Sequence, residues 1–155
     1  MRSVLIEPSA GDVAAPEPGS ELPPARLQNA AFEAGLAGWN VDGDRFAAFD
    51  DNGVPSVTSF TPEQGDAAKG RMWQELRIDA RSSRLSFQVH GGHASVSLYV
   101  DGRRVRRTRG RDTNDVRLSV VWDLRSLRGK TARLVIEDDL AEPWGFISVG
   151  DLQLR

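Results

Sequence analysis

The sequence predicts an all-β fold, an antiparallel sandwich or barrel. Three observations carry this. Apolar residues alternate with polar ones along several short segments, the mark of strands with one buried face. Gly and Asp clusters punctuate those segments at tight-turn spacing. No stretch sustains the 3.6-residue apolar period of an amphipathic helix. About eight to ten short strands with such turns suit a sandwich or barrel better than any layered α/β arrangement.

The segment 116–154 gives the clearest elements. Val116, Leu118 and Val120 alternate with Arg117 and Ser119, and Ala132, Leu134 and Ile136 with Arg133 and Glu137. In the last run, Ile147 and Val149 share one parity while Leu152 and Leu154 share the other. A strand cannot move its buried face to the other parity without an extra residue, so a bulge is expected near Gly150–Asp151.

The rest follows in order. Residues 1–28 hold Pro8, Pro16, Pro18, Pro23 and Pro24 and form an extended arm or linker, with a short strand open at Val4–Ile6. The arm is either a free tail or a strap on a neighbouring subunit. The sandwich is expected over 29–155. Gly35 and Gly38 argue against a helix in 29–39, so we expect a short strand, a turn, and a second strand through Trp39 and Val41. Phe46–Phe49 is a further strand, and Val54–Phe60, interrupted by Pro55, an edge strand. Strands over 73–78, 85–90 and 96–100 follow. Asp101–Gly102 is a hairpin turn leading to a return strand centred on Val105.

Composition narrows the function. At 155 residues the chain holds one domain with a real core. The net charge of −2 offers no global field toward nucleic acid or an anionic membrane. The absence of cysteine removes disulfides, thiolate catalysis and cysteine zinc sites. No apolar run approaches the ~20 residues of a membrane helix. The N-terminus lacks a secretory signal's apolar stretch, and the chain would be extracellular as a module of a secreted protein. The sequence has no Gly-x-Ser-x-Gly elbow, phosphate loop or His-Glu-x-x-His motif, and the expectation is a non-enzyme.

Several phrases occur in a telling order: NAAFEAGLAGW (29–39), FQVHGG (87–92), LYVDGRRV (98–105), WDLRSLRGKTARLVIEDD (122–139) and WGFISVGDL (144–152). Together they resemble the galactose-binding-like, jelly-roll carbohydrate-binding modules, and most nearly the fructan-binding type found beside glycoside hydrolases. The chain departs from that pattern in three places. Phe146 stands where His is usual, Gly150 precedes Asp151, and Pro143 stands where Gly is common.

The resemblance implies a sugar site at one end of the sandwich. His90, His93, Asp138, Asp139, Glu142, Trp144 and Phe146 are its candidate residues. A sugar site needs a flat apolar face for C–H groups and fixed carboxylates for hydroxyls, and Trp144 beside these acids offers both. The alternative for Trp144 is a core position, which is the expectation for Trp39 and Trp122; Trp73 is open. The resemblance also implies a structural calcium ion held by Asn29, Glu33 and Asp151, an oxygen set of the kind calcium takes. His90 and His93 lack a third zinc ligand and read as loop residues. The arginines at 103, 104, 106, 107, 109 and 111 lie on a hairpin, where alternate members face opposite sides. They form a solvated edge that blocks strand pairing, or a contact for an acidic glycan or acidic protein patch. The expected partner is a glycan, with a parent enzyme or assembly beside it. The competing expectation is a structural or docking subunit with the arm as its strap.

Overall fold

The computed structural model describes residues 23–43, 46–59, 70–92, 94–109, 113–138 and 147–155, with side chains described from 117 onward in the fifth of these spans. Among the described residues there are ten strands: β1 (Asn40–Asp42), β2 (Ala47–Asp51), β3 (Val54–Thr58), β4 (Gly70–Arg77), β5 (Arg84–Gly91), β6 (Ser95–Val100), β7 (Arg103–Arg109), β8 (Thr113–Asp123), β9 (Thr131–Asp138) and β10 (Ile147–Leu154). They form two five-stranded antiparallel sheets. Sheet I has the order β1-β4-β9-β6-β7, and sheet II the order β2-β3-β10-β5-β8. A single 3₁₀ turn, Arg125–Leu127, joins β8 to β9. Among the described residues no helix is long and apolar enough to cross a membrane.

The alternation seen in the sequence is the packing of the sandwich. Met72, Leu76, Leu134, Ile136, Val96 and Leu98 line the inner face of sheet I, and Val57, Val149, Val89, Phe87 and Trp122 that of sheet II. The Phe87 and Trp122 rings meet edge to face at 5.0 Å. The Trp122 indole N–H crosses to sheet I and donates to Thr108 Oγ1 at 3.2 Å. Beside it the Arg106 guanidinium donates to the Asp123 carbonyl at 2.7 Å and closes the β7–β8 seam. Arg106 thus turns to the seam while Arg107 and Arg109 face outward, as a strand's alternation requires. Asp101 and Gly102 carry φ values of 54° and 76°, the paired positive angles of the expected hairpin turn.

The bulge in β10 is present. Pairing with β5 shifts between Gly150 and Gln153, Asp151 has a φ of 53°, and Leu152 is buried. Two expectations need correction. The segment 29–39 forms successive turns instead of strands, and Val41 alone carries the second strand onward, in β1. The Asn29 side chain organises these turns: its amide donates to the Gly35 and Ala37 carbonyls and its oxygen accepts from Ala34 N–H. The Phe32 and Trp39 rings then stack at 5.7 Å. The second correction is that β3 is an interior strand. Its β10 partners span only Ser56–Thr58, so at Pro55 it has β2 as its sole neighbour and the missing N–H removes no ladder bond to β10.

Residues 24–28 run along β4 ahead of the turns. Arg77 N–H donates to the Pro24 carbonyl at 2.9 Å. The buried Gln74 carboxamide accepts from Gln28 N–H and donates to its carbonyl. The Val4–Ile6 strand lies outside the described residues.

Sheet II curls strongly. In a flat sheet its edge strands β2 and β8 stand four spacings apart, about 19 Å. Yet Arg117 on β8 reaches Asp51 on β2, with an ion pair at 2.7 Å and a further bond to the Asp51 carbonyl at 3.2 Å. The outward positions beneath this strap are small: Ser56, Ser148 and Gly150, all buried. A Cβ placed on Gly150 would meet Ser56 Oγ, the Pro55 carbonyl and a Val54 methyl at 2.3, 3.0 and 3.0 Å. Glycine is what lets β3 fold across β10, and it explains why Gly150 precedes Asp151.

Candidate functional site

One end of the sandwich gathers the strand ends that the sequence singled out. Gly91 pairs with Ile147, Gly70 with Asp138, and Gly91 with Thr113. Ser59 N–H donates to the Ile147 carbonyl at 3.0 Å. The segments 60–69, 110–112 and 139–146 therefore leave and rejoin the sandwich at this end. His93, Asp139, Glu142, Trp144 and Phe146 lie outside the described residues.

The two described members of the expected sugar set, His90 and Asp138, do not come together. Asp138 continues the parity of Leu134 and Ile136 and points between the sheets, with no exposed surface. Its carboxylate accepts from Ser59 Oγ at 2.6 Å, and the same hydroxyl accepts from Ile147 N–H at 3.0 Å. This buttress ties sheet I to sheet II at the end of the core. Among the described residues the Asp138 carboxylate thus holds the end of β9 to Ser59 and the start of β10.

His90 points from β5 onto the outer face of sheet II. Its Nδ1 lies 3.7 Å from Asp51 Oδ2, beneath the Arg117 strap, and Arg117 also donates to Gln88 Oε1 at 3.2 Å. Burial holds the imidazole below its ordinary pKa of 6.5; the Asp51 charge opposes this and the Arg117 charge reinforces it. This shift favours the neutral imidazole at pH 7. Nothing in the sequence announced this strap, because Arg117 alternates like any solvated strand residue.

The expected calcium ligands are also dispersed in role. The Asn29 amide holds its own turns, Glu33 is exposed in them, and Asp151 is exposed in the β10 bulge, where it accepts from Gln153. Among the described residues no three or more His, Asp or Glu side chains gather for a metal.

At the opposite end, a pocket of about 430 Å³ opens between residues 25–30, the 79–82 turn and the end of β10. Asp79 caps that turn by accepting from the Arg81 and Ser82 backbone, which lowers its pKa. Asp123, bonded to the Arg125 side chain, is held well below the usual carboxylate range.

Comparisons with known proteins place this architecture. No protein-family profile matches the chain. A curated protein of Aspergillus rugulosus named as a glycosyl hydrolase, ecdE, is 30% identical over 131 residues, which cover 74% of this chain and 18% of that protein. The chain thus spans under a fifth of the length of the curated relative it matches. Among solved structures, TmCBM61 in complex with beta-1,4-galactotriose superposes with a TM-score of 0.58 at 19% identity, covering 84% of this chain and 97% of the other. The K3 cleaved adhesin domain of Lys-gingipain from Porphyromonas gingivalis gives 0.55 at 13% identity, covering 83% and 98%. A family 16 carbohydrate-binding module gives 0.52 at 12% identity, covering 83% and 98%. The chain has the two-sheet β-sandwich fold of carbohydrate-binding modules.

Proposed function

We propose that this chain is a non-catalytic carbohydrate-binding domain that meets a glycan through the loops at the 91/147 end of the sandwich. The supporting observation is that the strand ends at Ser59, Gly70, Gly91, Thr113, Asp138 and Ile147 meet at this end, on a sandwich fold shared with solved carbohydrate-binding modules. Trp144 supplies the stacking face and Asp139 and Glu142 the hydroxyl acceptors, with His93 and Phe146 on the rim. Asp138 and Ser59 hold the base of the loop from within. The likeness to part of a longer glycosyl hydrolase favours a parent enzyme whose substrate the domain keeps close.

Calorimetric titration with neutral β-galactan and with levan tests this. Binding to one of them, abolished by Trp144→Ala with the melting temperature unchanged, is the expected result. No heat with either polymer, or full binding by Trp144→Ala, overturns the reading. The calcium ion that the family resemblance implies at Asn29, Glu33 and Asp151 is tested by melting: calcium is expected to raise the melting temperature and EDTA to lower it, and identical melts remove the ion.

A docking subunit is the second reading. Its support is the clamp of Pro24 and Gln28 on β4, which fixes the end of the Pro-rich arm against the sandwich. A monomer in light scattering, both with and without residues 1–22, would remove it.

A further inference from the structure

The outer face of sheet I is unlike an ordinary solvated sheet surface. Antiparallel register sets its residues in rows. Trp73, Val135, Ser97 and Arg107 lie across one row, and Glu75, Arg133, Tyr99 and Arg104 across the next. Arg71, Glu137, Ser95 and Arg109 lie on the other side. Ser97 and Val135 lie at the middle of the face on β6 and β9, with Arg133 and Tyr99 beside them, and β4 and β7 flank these strands three spacings or about 14 Å apart.

Three features of this face point to a ligand. The first is unmet hydrogen-bonding capacity. Ser97 Oγ and Arg133 Nε are the buried side-chain polar atoms without a partner among the described residues, and both lie here on adjacent strands. Ser97 is 1% exposed although its side chain points away from the core. A buried unpaired donor or acceptor costs about 1–3 kcal/mol, so two in one patch call for an explanation.

The second feature is a set of positioned guanidiniums. Arg71 and Arg133 stand 5.4 and 5.8 Å from the centre of the Trp73 ring, and Arg133 is also anchored to Glu75 Oε2 at 2.8 Å. Cation–π contact and an ion pair hold these planar forks in place before any ligand arrives.

The third feature is charge. Arg71, Arg77, Arg104, Arg107, Arg109 and Arg133 face outward here against Asp42, Glu75 and Glu137. The face is thus positive by three on a chain whose net charge is −2.

We propose that the outer face of sheet I is a second binding surface, for a carboxylate-bearing polysaccharide of the uronic acid class. Sugar C–H faces lie against Trp73 and Tyr99. Carboxylates take the Arg71 and Arg133 forks in the bidentate geometry that suits them. A hydroxyl completes Ser97. Glu75 and Glu137 accept further hydroxyls, and among the described residues the face lacks the row of open aromatic platforms that single-stranded nucleic acid uses. The surface is independent of the loop-end site, since its residues lie on sheet strands away from segment 139–146.

The test is titration of the full chain with polygalacturonate, with neutral β-galactan and single-stranded DNA as the other arms. Polygalacturonate is expected to bind, more weakly as salt rises. Arg71→Gln with Arg133→Gln is expected to weaken it about tenfold or more, the loss of charge-assisted forks. Ser97→Ala, which removes the unpaired hydroxyl without loading a strand position, is expected to weaken it with the melting temperature kept. Trp144→Ala probes the loop reading alone, so neutral-glycan binding and polygalacturonate binding fail separately. Three results overturn the proposal: no polygalacturonate binding by the parent chain, equal affinity in the double variant, or DNA bound as tightly as polygalacturonate, which makes the face a plain cation surface.

Discussion

The outer faces of the two sheets began from the same sequence rule and became different objects. Both sheets place apolar residues at every second position, and both leave the alternate positions for the outside. On sheet II the outside positions of the β3–β10 pair are Ser56, Ser148 and Gly150, and the sheet curls until its edges meet through Arg117 and Asp51. On sheet I they include Trp73, Arg133, Tyr99 and Arg107, with Arg71 and Arg133 set against the Trp73 ring. Small residues let a strand fold over its neighbour, whereas tall ones prop the face open and furnish it with chemistry. The apolar pattern alone does not distinguish the two faces.

Gly150 carries the largest share of that difference. A methyl group there meets backbone and side chain of β3 at 3.0 Å or less, and the strand cannot yield without losing its β10 pairing. Gly150→Ala is expected to destabilise by about 2–4 kcal/mol, near 10 °C in melting temperature for a chain of this size. Thermal unfolding followed by circular dichroism checks it. A melt within about 1 °C of the parent would mean that β3 does not lie across β10. The matched substitution at Ser97 on sheet I, Ser97→Ala, should by contrast leave the melt in place.

The strap itself is a smaller term. Arg117 and Asp51 side chains are 29% and 17% exposed, so their attraction is partly screened by water. A double-mutant cycle with Arg117→Ala and Asp51→Ala is expected to give a coupling of about 1 kcal/mol. Denaturant unfolding of the four proteins measures it. Zero coupling would leave the curl to Gly150 and its small neighbours alone.

Much of this was legible in the sequence, and the part that was not shares a cause. Parity located the strands of both sheets, the β10 bulge and the Asp101–Gly102 turn, because each is a local consequence of period two. Parity also held a signal that was passed over. Asp138 follows Ala132, Leu134 and Ile136 at every second place, so its burial was written in the same rhythm. The turns at 29–39 were missed because one side chain, Asn29, satisfies three backbone groups there, and a donor count is not visible in a hydropathy pattern. The Asp51–Arg117–His90 strap joins residues up to 66 apart across a curled sheet, and curvature comes from packing that no local window reports. Four of the expected sugar-site residues beyond β9, Asp139, Glu142, Trp144 and Phe146, lie outside the described residues, and their role rests on the titration.

The finest distinction between the two faces is a proton. Sheet I carries no histidine, while sheet II buries His90 beneath the strap. Its folded pKa lies below 6.5, with burial as the main cause. Above about pH 7 both folded and unfolded chains hold a neutral imidazole, and His90 adds no pH dependence. As pH falls below 6.5, the unfolded chain takes up its proton first and stability declines. Below the folded pKa both states are charged and the loss levels off. The stability difference between the parent and His90→Gln should therefore be flat at pH 7–8 and move against the parent as pH falls below 6.5. Comparing the two proteins cancels the carboxylates they share. Asp51→Asn should steepen the fall, because Asp51 supplies the opposing charge that favours the imidazolium. Parallel stability curves for parent and His90→Gln across this range would show that water reaches His90 as freely as it reaches the unfolded chain, and that the strap leaves the face open.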